Sequence, residues 1–113
     1  MKTIIAGSRN ITDYKLIEDA VRCSGFDVSE IVSGAARGVD QLGEEYAKKR
    51  NIPIKKMPAD WDKFGKSAGY RRNAEMALYA DALVAIWDGK RKGTKHMIDL
   101  AIKHNLCYYI YTI

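Results

Sequence analysis

"EIVSGAARGVDQLGEEYAKK", Glu30 to Lys49, decides the fold. "SEIVS" reads as a short buried strand, and it runs through Gly-Ala-Ala-Arg-Gly into a segment where Val39, Leu42, Tyr46 and Ala47 form one apolar helical stripe. Lys48, Lys49 and Arg50 close that helix with charges that suit the negative end of its dipole. A strand that turns directly into a helix is half of a β-α-β unit, so the flanking sequence should repeat the pattern.

It does so on both sides. Upstream, "KTIIA" (Lys2 to Ala6) is a β-branched first strand ending at Gly7. Thr12 is placed to cap a helix with Tyr14, Ile17, Ala20 and Val21 on one face, stopped by Gly25. Downstream, "IPIKKMPA" predicts a more exposed third strand, because Pro53 lacks an N–H for a ladder. A loop over Asp60 to Lys66 precedes a helix from about Ser67 to Tyr79. "ADALVAIWD" is apolar enough for the sheet centre. A further helix turns Thr94, Met97, Ile98, Ala101 and Ile102 inward, and "CYYIYTI" is the last strand. Five alternations with short connections predict an α/β fold: a Rossmann-like, doubly wound sandwich with a mostly parallel five-stranded sheet.

At 113 residues, with no linker or repeat, the chain is expected to be a single domain over 1–113. No stretch approaches the roughly 20 apolar residues of a membrane span, and the few apolar residues after Lys2 are too short for an export signal, so a cytoplasmic location is expected. Cys23 and Cys107 stand far apart with no metal-binding spacing, and read as reduced, buried thiols. His96 and His104 read as ordinary helix residues, and no metal is expected. Net charge is +5, from 19 Lys and Arg against 14 Asp and Glu, which favours anionic partners.

In such sheets ligands bind at the carboxyl ends of the strands. The loops there are "GSRN", "SGAARGVD", "ADWDKFGKSAG" and "WDGKRKGT", each with glycine and at least one cation. About half of the basic residues fall in or beside them: Arg9, Arg37, Lys63, Lys66, Arg71, Arg72, Lys90, Arg91, Lys92 and Lys95. Gly34 and Gly38, with Ala35 and Ala36 between them, let peptide N–H groups approach a ligand oxygen, and the helix that follows points its positive end there. Gly7, Ser8, Arg9 and Arg37 add donors to this anion cradle. The competing reading is that these glycines only make tight turns. Gly93 and Thr94 repeat the device, unless Thr94 is a plain cap. Asp40 suits either the helix dipole or ribose hydroxyls. Asp60-Trp61 and Trp87-Asp88 each join an aromatic plane to a carboxylate. Trp61 is the better stacking candidate, because Trp87 closes an apolar strand and can be core. Arg71 and Arg72 are electrostatically unfavourable near a helix start, so one of them should meet an anion or a carboxylate.

"AGSRNITD", "VSGAARGVDQLGEEYA", "PADWDKFGKSAGYRRNAEM" and "WDGKRKGTKHMIDLA" resemble, in order and nearly end to end, the small YspA-like (YpsA-related) bacterial and phage group of the SLOG superfamily. That superfamily also holds the LONELY GUY phosphoribohydrolases and the Rossmann-like domain of the DNA-processing protein. The resemblance implies binding of a nucleotide or nucleotide-derived ligand, of NAD or ADP-ribose type, with Asn73 in "RNAEM" beside the site. In the LONELY GUY enzymes an arginine and a glutamate three residues after a GT pair carry N-glycosidic cleavage. Here Arg72 stands at the arginine position, but Met97 replaces the glutamate and can neither stabilise an oxocarbenium ion nor activate water. Glu75, Asp40 and Asp88 are the carboxylates left to substitute.

Three functions compete: a nucleotide-binding sensor or sequestering module, a nucleotide N-glycosidase using Arg72, and a nucleic-acid binder. No separate cofactor is implied and no membrane partner. The aromatic "CYYIYTI" end favours a homo-oligomer.

Overall fold

The computed structural model describes residues 1–113. Strands β1 (Lys2–Gly7), β2 (Glu30–Ser33), β3 (Ile54–Lys56), β4 (Ala82–Trp87) and β5 (Cys107–Thr112) form one sheet in the order β3-β2-β1-β4-β5. All four neighbouring pairs are parallel. Helices α1 (Tyr14–Ser24) and α2 (Val39–Lys49) pack on one face. Helices α4 (Ala68–Tyr79) and α5 (Lys92–Lys103) pack on the other, and α3 (Trp61–Phe64) is a single turn before α4. No helix is long and apolar enough to cross a membrane.

Side chains alternate across the strands, so each interior strand feeds two cores. Ile4, Ala6, Val32, Leu83 and Ala85 meet Met76, Met97 and Ile98 on the α4/α5 side. Ile5, Ile31, Val84 and Ile86 meet Ile17, Val39 and Ala47 on the α1/α2 side. A strand buried on both faces must read as a continuous apolar run, which is why β4 does. The middle strand is nevertheless β1, with β4 beside it. Burying a side chain such as Ile17, which is wholly enclosed, contributes about 1.5–3 kcal/mol.

Several expectations are corrected. Asp13, not Thr12, caps α1, its carboxylate accepting the Lys15 N–H at 3.0 Å. The expected loop at Asp60 to Lys66 contains α3 and a 3-10 turn at Gly65–Ser67, because the Asp60 carboxylate caps the Lys63 N–H at 3.1 Å. Both cysteines are exposed, Cys23 in the last turn of α1 and Cys107 on edge strand β5. Ile102 lies half exposed near the end of α5 rather than facing inward. Arg91 holds the N-cap position of α5, so Thr94 sits inside the first turn and is not the cap.

Candidate functional site

The chain winds from β1 out to β3, then returns to lay β4 and β5 on the opposite side of β1. The loops after β1 and β4 therefore diverge and leave a crevice at the carboxyl ends of those two strands. A cavity of about 380 Å³ occupies it. Ser8 and Arg9 come from the end of β1, Asp40 from α2, Arg72 and Asn73 from α4, and Arg91 to Thr94 from the start of α5, over a floor that includes Met76 and Met97. A second cavity, of about 320 Å³, shares Arg9, Ala36 and Arg72 with the first and extends over Gly34, Arg37, Pro58 and Trp61. The two are lobes of one groove, with two guanidinium groups on their common wall.

Arg72 is fixed by contacts distant in sequence. Its Nη1 donates to the Gly34 carbonyl at 2.6 Å and its Nε to Asn73 Oδ1 at 3.0 Å. Burial lowers its pKa, opposed by the nearby Asp40 carboxylate and reinforced by Arg9, but an arginine keeps its charge regardless. Gly34 makes this packing possible. A Cβ there would lie 2.5 Å from Arg72 Nη1 and 2.9 Å from Asp40 Oδ2.

Asp40 is only 8% exposed, and its Oδ2 accepts the Ala36 N–H at 3.1 Å. Burial pushes its pKa up to about 6, against the pull of that N–H, Arg72 and Arg9. No fully enclosed side-chain oxygen lacks a partner, and Oδ1 makes no hydrogen bond, so this oxygen reaches the cavity surface. The site thus holds an acid that titrates near neutrality beside the fixed guanidinium of Arg72 and the exposed one of Arg9.

The loop after β2 differs from its expected form. Its left-handed residues are Ala35 (φ 59°) and Gly38 (φ 75°), not Gly34. Its amides turn toward the protein's own side chains: Ala35 N–H donates to Ser33 Oγ at 3.0 Å and Ala36 N–H to Asp40. The first N–H of α2, from Val39, goes to the Ser8 carbonyl at 3.2 Å. Gly38 packs so closely that a Cβ would lie 2.4 Å from that carbonyl oxygen. These groups brace the site.

At the start of α5 the reverse holds. The Asp88 carboxylate takes the N–H groups of Lys90 and Arg91, at 2.8 and 3.2 Å, and no side chain caps the helix itself. Lys92, Gly93 and Thr94 therefore carry the first-turn N–H groups that have no intrahelical partner, and all three residues line the cavity. Asn73, only 7% exposed, ties this turn to Arg72: its Nδ2 reaches the Gly93 carbonyl at 3.4 Å and His96 Nδ1 at 3.2 Å. The latter contact assigns the His96 proton to Nε2. Burial lowers the His96 pKa, opposed by Asp99. Trp87 Nε1 donates to the Arg91 carbonyl at 3.1 Å and fastens the same turn from the other side.

Residues 1–64 match the family described as YspA, cpYpsA-related SLOG family, or YAcAr. The chain belongs to that family. It is 31% identical over 112 residues to the Gene 61 protein of Mycobacterium phage D29, across 90% of this chain and 89% of that one. Its fold is similar to that of DNA processing protein A from Streptococcus pneumoniae, with TM-score 0.76 and 17% identity over 96% of this chain. The chain spans about half of that protein (49%), and at this identity the likeness is one of fold.

In this YAcAr-family chain, Gly7, Ser8, Arg9, Asp40, Arg72, Asn73, Gly93 and Thr94 line the first lobe. Gly34, Ala35, Arg37 and Trp61 line the second. Gly38, Asp60 and Asp88 line neither. Gly38 packs the loops together, and the two carboxylates hold local N–H groups. Asn73 reaches the first lobe, but its amide is engaged inside the protein. Among the lining residues that sequence reasoning passed over is Met76, which looks like a core position because, with Met97, it floors the cavity from the core. His96 was also missed, since nothing in sequence links it to Asn73.

Proposed function

We propose that this protein binds a nucleotide or nucleotide-derived ligand, with its phosphate in the first lobe between Arg9, Arg72 and the first turn of α5, acting as a sensor or sequestering module. The carrying observation is the convergence, in one cavity at the strand-order switch, of two guanidinium groups and an uncapped helix start. Each attracts anionic oxygen, and charge-assisted bonds from arginine are roughly twice as strong as neutral ones. Family membership and the shared fold support the reading. Thermal unfolding with AMP, ADP, NAD or ADP-ribose tests it. A ligand at about 100 times its Kd adds about 2.7 kcal/mol, which for a domain of this size raises Tm by roughly 10 °C. Arg9→Ala should abolish most of that rise while leaving the free protein's Tm unchanged, because Arg9 is exposed. No rise with any nucleotide would refute the proposal.

A second reading, hydrolysis of an N-glycosidic bond, is favoured by one observation: Asp40 offers the first lobe a carboxyl whose pKa, about 6, suits proton transfer at neutral pH. Release of free base from a nucleotide, lost in Asp40→Asn, is its expected signature.

A further inference from the structure

The second lobe contains something a phosphate does not need. Trp61 presents an indole that is 50% exposed, although it is not loosely held. Asp60 caps its one-turn helix. Gly69 of α4 lies beside the ring, where a Cβ would come within 3.4 Å of Trp61 Cη2, so the ring rests against the helix backbone. The facing walls are Ala35, Ala36, Pro58 and Ala59, which are small or flat and leave the lobe open. Its charged lining is Arg9, Arg37 and Arg72, with no carboxylate.

Arg9 adds a geometric clue. Its guanidinium carbon lies 5.9 Å from the centre of the indole. A flat ring seated about 3.5 Å from each face needs roughly 7 Å between them, so the gap falls about 1 Å short. Arg9 is exposed and its side chain makes no hydrogen bond or ion pair, leaving it free to move that far. An aromatic plane, a mobile guanidinium above it and arginines as the only charged side chains around the rim suit a nucleobase. Its face stacks, and its ring nitrogens and carbonyl oxygens accept from arginine.

We infer that the Trp61 lobe is a nucleobase subsite, so that a bound nucleotide crosses the shared wall at Arg9 and Arg72 with its base on the indole and its phosphate at α5. This rests on the phosphate site proposed above and adds which part of the ligand goes where. It makes the ligand class one with an aromatic base, not a sugar phosphate alone.

Isothermal titration separates the two ideas. Ribose 5-phosphate and the 5′-monophosphates AMP, GMP, CMP and UMP are titrated into the wild type, Trp61→Ala and Trp61→Phe. Stacking contributes about 1–3 kcal/mol per base, so the best nucleotide should bind wild type roughly 5–150-fold more tightly than ribose 5-phosphate. Trp61→Ala should reduce that ratio to about twofold or less, Trp61→Phe should keep most of it, and affinity for ribose 5-phosphate should be the same in all three. A wild-type ratio near one, or a ratio that Trp61→Ala leaves intact, overturns the base subsite while the phosphate site stands. If neither ligand type binds wild type, the phosphate site falls and the base subsite with it.

Discussion

The loops after β2 and after β4 look alike on paper, each a glycine-bearing turn between a parallel strand and a helix, and they do opposite things. Between Ser33 and Gly38 the amides of Ala35 and Ala36 bind the protein's own Ser33 and Asp40, and the loop closes around Arg72. At Arg91 to Thr94 the helix start carries no side-chain cap, and a Cβ on Gly93 would meet nothing within 4 Å. One loop is scaffold and the other is open surface. Glycine in the first makes room for protein atoms; glycine in the second borders open space.

Substitutions at the two loops should therefore diverge, most of all at Gly38. A Cβ there clashes with the backbone of Ser8 and Arg9 in a conformation that L-residues avoid, so Gly38→Ala should cost more than about 3 kcal/mol by urea unfolding. A cost below about 1 kcal/mol would show that the loop is not rigid.

Asp40→Asn comes next and acts with the opposite sign. The carboxyl is harder to ionise in the folded protein, with a pKa of about 6 against an ordinary 3.8. Well below pH 3.8 it is protonated in both states and exerts no penalty. Stability is lost as pH rises from the ordinary value through 6, and the full penalty holds above that. About two pH units correspond to roughly 2–3 kcal/mol. The amide keeps an oxygen for the Ala36 N–H, so Asp40→Asn should be the more stable protein at pH 8, by up to that amount, and level with wild type near pH 3. Unfolding curves at the two pH values decide it.

Gly34→Ala should spare the fold, because the nearest atoms are the ends of the Arg72 and Asp40 side chains. Displacing Arg72 should weaken AMP binding about tenfold, or 1.4 kcal/mol, by titration. The smallest effect belongs to Gly93→Ala: unchanged stability or a gain of up to about 1 kcal/mol from helix propensity.

The alternating pattern made the fold legible, since strands buried on both faces and helices with one apolar stripe leave different periodicities. Four residues of α3 are too few for any period, and only the Asp60 cap signals them. The site was legible as a set of loops at one sheet edge, and Arg9, Asp40, Arg72 and Thr94 do share a cavity. Its internal order was not. The Arg72 bond to Gly34 spans 38 positions and the Asn73 contact with His96 spans 23. Which amides face outward depends on such tertiary partners, so the GAARG segment, rich in small residues, looked like the cradle although its Ala35 and Ala36 N–H groups turn inward.

A ¹⁵N amide titration with AMP puts the contrast between the two loops to the test residue by residue. Saturable shifts should be largest at Lys92, Gly93 and Thr94 and at Ser8 and Arg9, with Ala35 and Ala36 moving little because their N–H groups are already bonded. Shifts confined to the opposite side of the molecule, or none at the α5 start, would contradict it.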